Sequence, residues 1–249
     1  MPFGLERFRE YLRKIWNCYE ADFELLPLIM ANPMGKGHVT VLLDQLLELG
    51  AEGIAAAAVR KASAKLEDIP GEFKAAIVVA DDLMGGWTNR YDYEFALRFG
   101  KGRDSDRTRL VNATKLERPS WTKYLWATGV LWSSELPSAA AVREAILTAV
   151  YRVAIVHRVG LPLTLRDMLF QEGQVLAMAG CTTPALEEDD ISYTREVLEP
   201  YLDSCDMRTC IECLFGDAAG RTLGFTPRGL SPQAGLALAL HDALAGGVV

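Results

Sequence analysis

Residues 73–80, with the sequence FKAAIVVA, form an almost unbroken apolar run that constrains the fold more than any other part of the chain. A strand with one solvated face alternates apolar and polar side chains, whereas a strand covered on both faces is apolar throughout. The run therefore predicts a strand buried on both faces within a covered sheet.

A second strand is predicted at residues 124–132, and residues 133–138 lead from it into a helix over residues 139–157. Between the strands, Thr88 or Asn89 is suited to cap a helix that reaches Phe99. The order strand, helix, strand, helix is that of a βαβ unit with parallel strands.

The remaining segments predict further helices and one hairpin. Leucines recur at helical spacing over residues 39–66, where Gly50 and Gly53 mark a break or a close approach of another backbone. Helices are also predicted at 164–179, 192–202 and 232–245. Residues 208–215 and 221–226 are predicted to form the two strands of an antiparallel hairpin. The expected fold is helix-rich α/β, with a short, mostly parallel sheet flanked by helices and a C-terminal antiparallel hairpin.

Composition limits the class of protein. Half of the 249 residues are apolar and a quarter are charged, which indicates a single globular domain over residues 1–249. The net charge of −7 and the lack of a Lys/Arg-rich stretch argue against nucleic acid as a partner. Without a signal sequence or an apolar segment of about 18 residues, and with an odd number of cysteines, a cytoplasmic protein with reduced thiols and no membrane partner is expected.

The end of the first predicted strand is the main candidate site. Asp81 and Asp82 emerge there, where ligands bind in open α/β sheets, and either one is a candidate general base or ligand of a divalent metal. Adjacent strand residues point to opposite faces, so only one of the two is expected to face a given ligand.

The residues that follow add possible ligand contacts. Gly85 and Gly86 allow a tight turn close to a ligand, and Trp87, Asn89 and Arg90 offer stacking, amide and guanidinium contacts to a small polar or anionic ligand. In the alternative, structural interpretation, the glycines only make the turn and Arg90 pairs with Asp81 or Asp82.

Two charged residues lie in otherwise apolar helical segments. Arg152 is the only charge between Ala145 and Val156, and Glu172 is followed by Gly173, which permits another backbone or a ligand to come close. A buried charge requires a partner, so Arg152 and Glu172 are expected to approach each other or to reach the pocket of Asp81, where Glu172 is a candidate catalytic residue and Arg152 a candidate ligand contact. One structural ion pair between packed helices is the alternative.

Lys36 and His38 lie at the start of a long predicted helix, where free N–H groups beside a lysine favour anion binding. The spacing is not that of a P-loop, and an ordinary glycine-rich helix start is the alternative. His38 together with Asp81, Asp82 or Glu172 is a candidate divalent-metal set.

Three cysteines, Cys205, Cys210 and Cys213, match part of a ferredoxin spacing, and Cys181 is a possible fourth ligand. The downstream fourth cysteine of that pattern is missing. Buried free thiols are therefore favoured over an iron–sulfur or zinc site.

No G-x-S-x-G or G-x-G-x-x-G motif occurs in the sequence. Since no redox or group-transfer motif is visible, the first hypothesis is an enzyme acting on a small polar or anionic metabolite, in the form of a metal-assisted hydrolase. The second is a non-catalytic ligand- or partner-binding protein, a homo-oligomer with the Ala-rich and Leu-rich helices at a homodimer face.

Overall fold

The computed structural model describes residues 36–69, 73–83, 89–102, 116–117 and 126–246. Chain contacts divide the protein into two compact units. Unit 1 comprises Met1–Arg90 with Tyr124–Val153, and unit 2 comprises Tyr91–Lys123 with Ala154–Val249. Each unit has its own apolar core, and the expectation of a single domain stays a prediction.

The described elements are, in chain order, α1 (Lys36–Glu48), α2 (Ala51–Lys65), β1 (Lys74–Ala80), α3 (Arg90–Phe99), β2 (Lys101–Gly102), β3 (Leu116–Glu117), β4 (Trp126–Trp132), α4 (Ala139–Val159), α5 (Leu165–Ala179), α6 (Glu188–Leu198), a 3-10 turn (Glu199–Tyr201), α7 (Met207–Phe215), α8 (Asp217–Thr222) and α9 (Ala234–Gly246).

Unit 1 is built on β1 and β4, which pair in parallel from Lys74 opposite Trp126 to Ala80 opposite Trp132. The predicted parallel pairing and helix-rich α/β class are confirmed. Val78 and Val79 of β1 pack with side chains of α1, α2 and α4 in one apolar cluster, which explains why the strand carries no polar alternation.

The long helical segment near the start of unit 1 is interrupted at Gly50. This residue has φ of +67°, a left-handed conformation that glycine adopts without steric cost, and it separates α1 from α2. Gly53 lies inside α2. The predicted break between two helices is thus confirmed.

Unit 2 is almost entirely helical in its described part. Helices α5 and α9 pack against each other, and the core combines Phe95 and Phe99 of α3 with apolar residues of α5, α6, α7 and α9. The start of α5 is fixed by a capping box: Thr164 accepts from the Asp167 backbone N–H, and the Asp167 carboxylate accepts from the Thr164 backbone N–H. This is the helix start that the sequence predicts.

The predicted C-terminal hairpin is wrong. Residues 207–215 form α7 and residues 217–222 form α8, so the first supposed strand is helical, and the second is the end of α8 followed by a turn and irregular chain. Asp206 caps α7 by accepting from the Thr209 backbone N–H, and Cys210, Ile211 and Leu214 recur on one buried helical face. An antiparallel ladder exists only as the two-residue pairing of β2 with β3 among the described residues.

Within the described ranges, no helix combines the length and the apolar character that a bilayer span requires.

Candidate functional site

The carboxyl ends of β1 and β4 lie side by side and bring together residues that are about fifty positions apart. Asp81 and Asp82 follow β1, and Ser133, Ser134 and Glu135 follow β4. Because Ala80 is opposite Trp132 in the parallel register, the next residues of both strands continue as neighbours. These five residues and Arg90 are called the strand-end cluster.

Asp81 is buried, with 3% of its surface exposed. Its Oδ1 accepts hydrogen bonds from the Ser133 hydroxyl at 2.6 Å and from the Leu83 backbone N–H at 3.1 Å. Its Oδ2 is fully buried and has no hydrogen-bond partner in the described part of the chain. Leaving such an oxygen unpaired costs about 1–3 kcal/mol, which a hydrogen-bond donor from a ligand would relieve.

Asp82 has every carboxylate oxygen engaged. Its Oδ1 accepts from the Ser134 backbone N–H at 2.9 Å, and its Oδ2 accepts from the Ser134 hydroxyl at 2.6 Å and from Arg90 Nη1 at 3.1 Å. The two adjacent acids thus differ. Both oxygens of Asp82 bind residues of the cluster, whereas Oδ2 of Asp81 has no hydrogen-bond partner in the described part of the chain.

Arg90, the first residue of α3, is paired twice. Nη1 contacts Asp82 and Nη2 donates to the Glu135 carboxylate, while the guanidinium lies over the Trp132 ring at 5.0 Å from its centroid. This is the pairing that the structural interpretation of the sequence expects. Orientation of an anionic substrate by Arg90 stays a prediction.

The structure describes only some of the other residues that are predicted to contact a ligand. Gly85, Gly86 and Trp87 lie outside the described residues. Asn89 is half-buried immediately before α3 and has interaction partners, and His38 is exposed on α1. Lys36 begins α1, and its anion-binding role, like the metal-binding role of His38, stays a prediction.

The buried positions predicted for Arg152 and Glu172 are confirmed: Arg152 is 6% exposed on α4 and Glu172 is 1% exposed on α5. Arg152 belongs to unit 1 and Glu172 to unit 2, so their pairing and a catalytic role of Glu172 beside Asp81 stay predictions.

Within unit 2, Glu172 has partners that the sequence analysis did not identify. Its Oε2 is 3.5 Å from Nε of Arg98, and its Oε1 accepts from Gln171 at 3.2 Å. Arg98 also binds Glu94 at 3.0 Å. Arg98 is the ninth residue of α3, within the helix that the sequence predicts to reach Phe99, and spacing along the sequence gives no sign that it meets Glu172.

The cysteine cluster contains unreactive thiols in α7. Cys210 and Cys213 are buried, and burial raises the pKa of Cys213 to about 12 and that of Cys210 further still. Cys181 is also buried, and Cys205 is exposed. In the part of the chain that the structure describes, no three His, Cys, Asp or Glu side chains are placed to hold a metal ion.

Unit 2 contains a cavity of about 670 Å³ that the sequence analysis missed. It lies between α5, α6 and α9, and its lining is mostly apolar, with Leu169, Phe170, Leu198 and Leu238 among the contributing residues. Arg195 and Asp242 form a two-point salt bridge at its wall, with distances of 2.6 and 2.9 Å. Phe170, which lines the cavity, is 58% exposed on α5, a feature that is visible only in the structure.

Comparison with protein-family models, with curated proteins and with solved structures finds no significant match to this chain.

Proposed function

We propose that this protein is a cytoplasmic enzyme that acts on a small polar metabolite, with Asp81 as its general base. The observation that supports the proposal is the buried, unpaired Oδ2 of Asp81 at the carboxyl end of a parallel strand pair. A general base must lie within hydrogen-bond reach of the proton that it removes, and among the described residues this oxygen is a fully buried carboxylate acceptor of the strand-end cluster that has no donor.

Hydrolysis is the reaction proposed. Asp81 Oδ2 accepts a proton from a bound water as the water oxygen forms a bond to the electrophilic atom of the substrate. The bond between that atom and the leaving group then breaks, and the leaving group takes the proton back from Asp81. The hydrogen bonds from Ser133 and Leu83 to Oδ1 keep the carboxylate oriented during this transfer. A divalent metal bound by Asp81 and Asp82 remains part of the hypothesis.

A near-isosteric substitution tests the proposal. Asp81→Asn keeps an acceptor for Ser133 and Leu83 but removes the basic oxygen. We expect one class among divalent metals, phosphorylated metabolites, small acids, alcohols and amines to raise the melting temperature of the wild type, because ligand at about 100 times its Kd stabilises by about 2.7 kcal/mol. The shift should disappear in Asp81→Asn.

The matched control is Asp203→Asn, which removes the same charge from a side chain that is 86% exposed in unit 2. It should keep the ligand-induced shift. A shift that persists in Asp81→Asn would show that the ligand binds elsewhere and would contradict the proposal.

The cavity of unit 2 favours a second candidate, a non-catalytic protein that binds a ligand or another copy of itself. Its volume lies within the range of about 300–1,000 Å³ typical of ligand sites, and the exposed Phe170 beside it is suited to insert into a partner. The Leu-rich segment 236–240 of α9, expected at a homodimer face, is buried in the core of unit 2.

A further inference from the structure

Carboxylates outnumber cationic groups in the strand-end cluster. Arg90 is shared by Asp82 and Glu135, and within the described ranges Asp81 accepts its side-chain hydrogen bonds from a hydroxyl and a backbone N–H. Three carboxylates against one guanidinium leave a formal excess of two negative charges. The neighbouring sequence at residues 84–88, Met-Gly-Gly-Trp-Thr, contributes no charge. An anionic ligand would therefore be repelled at Asp81.

The unpaired oxygen of Asp81 also limits which group can contact it. Oδ2 is an acceptor, so its partner must donate a hydrogen, and an ionised carboxylate or phosphate cannot do so. A hydroxyl donates without charge. A protonated amine donates and also offsets the negative excess, and such charge-assisted hydrogen bonds are about twice as strong as neutral ones.

We infer that the strand-end cluster recognises a protonated amine on its ligand, with the ammonium group donating to Asp81 Oδ2. The inference rests on the proposed function for the place of the ligand and narrows the substrate class from polar metabolites in general to amines. Asp82 acts on the ammonium through its charge, since both of its carboxylate oxygens already have partners, and Glu135, whose Oε1 is paired with Arg90, adds a further negative charge.

Three probes of similar size separate the ligand classes: propylamine, 1-propanol and propionate. At pH 7 the amine is protonated and the acid ionised. Titrations followed by ligand-observed NMR should show propylamine binding at least about 10-fold more tightly than propanol, and no binding of propionate. Asp81→Asn should weaken propylamine binding by about 10-fold or more, while Asp203→Asn should leave it unchanged.

Glu135→Gln supplies a second arm if Asp81→Asn fails to fold, since Glu135 is half exposed and its loss leaves the bond between Arg90 and Asp82 in place. It removes one of the three carboxylates, so propylamine affinity should fall by about 2- to 5-fold. An unchanged affinity in folded Glu135→Gln protein would overturn the inference.

The outcomes separate this inference from the function on which it rests. Propionate binding that is lost in Asp81→Asn would overturn the amine specificity and support Asp81 as the ligand site. Propylamine binding that is equal in the wild type and Asp81→Asn would overturn both. The absence of binding by every probe and every metabolite class would also overturn both.

Discussion

At the scale of single residues, Asp217 shows how one carboxylate can organise a loop. Its Oδ1 accepts from the backbone N–H groups of Arg228 at 2.8 Å and Leu230 at 3.1 Å, and its Oδ2 accepts from Gly229 at 3.0 Å. Burial raises the pKa of Asp217, but these hydrogen bonds and the charge of Arg221 lower it by a larger amount. The pKa of Asp217 therefore lies below its usual value.

We predict that Asp217→Asn lowers the free energy of unfolding by about 1–3 kcal/mol at pH 7. The amide oxygen accepts hydrogen bonds but the amide nitrogen does not, so at least one of the three backbone N–H groups loses its acceptor. The pKa of Asp217 is lower in the folded protein than its unfolded value of about 3.9. The ionised carboxylate therefore stabilises the fold above about pH 4, and this stabilisation is lost as the pH falls through the folded-state pKa. The difference between wild type and variant should therefore shrink below about pH 4. Urea denaturation across pH measures it.

Asp203→Asn is again the control, since it loses only an exposed ion pair with Arg166 and should change stability by less than about 1 kcal/mol at any pH. A destabilisation by Asp217→Asn that stays constant down to pH 3 would show that packing, and not the carboxylate, holds the loop.

The candidate site was predictable in part at this scale. Asp81, Asp82 and Arg90 stand out in the sequence because charged residues follow an apolar strand. Ser133, by contrast, was taken only as part of the linker into the next helix. It contacts Asp82 across 51 positions of sequence, and only the parallel register of β1 and β4 creates that contact.

At the scale of elements, helices with strong end signals were predicted well, and a short apolar segment was not. Thr164 and Gly180 mark the two ends of α5, as the sequence indicates. Residues 208–215 mix apolar with polar residues over a length that suits either a strand or a helix, and the pattern alone does not separate the two. The Asp206 cap begins the helix, and α7 is buried on more than one face, since residues 210–215 are all buried.

The contact between α5 and α9 depends on a glycine. A Cβ on Gly173 would overlap the carbonyl oxygen of Ala239, so the backbone approach that the sequence allowed is made by α9. We predict that Gly173→Ala lowers the free energy of unfolding by about 1–3 kcal/mol, because the two helices must move apart. Thermal denaturation should show a correspondingly lower melting temperature.

Gly53→Ala is the matched control for this substitution. A Cβ on Gly53 would meet no atom within 4 Å, and the residue lies inside α2. This change should raise stability by about 0.5–1 kcal/mol through helix propensity. Equal effects of the two substitutions would contradict the role assigned to the contact between α5 and α9.

At the scale of the whole molecule, the sequence supplied enough apolar residues for a core but did not indicate how they are divided. The structure has one cluster around β1 and β4 and another around α5, α7 and α9. Both units are discontinuous in sequence, and two of the three boundaries between them lie inside the helices α3 and α4. Composition changes and linkers, the usual signals of a boundary, are therefore absent at these points of the sequence.

A two-fold dimer requires a surface that is complementary to itself, and unit 2 offers a projecting Phe170 beside an apolar cavity. If the second candidate function holds, Phe170 of each copy inserts into the cavity of the other. Sedimentation velocity should then show a particle of twice the 27.4 kDa chain mass, and Phe170→Asp should dissociate it by at least about 100-fold in Kd, because a charge cannot be buried there unpaired.

Leu163→Asp is the control for that experiment, since Leu163 is 66% exposed in unit 2 but does not line the cavity. The Leu163→Asp variant should remain a dimer at the protein concentrations at which the wild type is a dimer. Circular dichroism spectra of both variants should match that of the wild type, which shows that both are folded. Dissociation by Leu163→Asp as well would indicate a general effect of surface charge. A wild type that sediments as a monomer at every concentration would exclude the dimer and leave the cavity as a site for a smaller ligand.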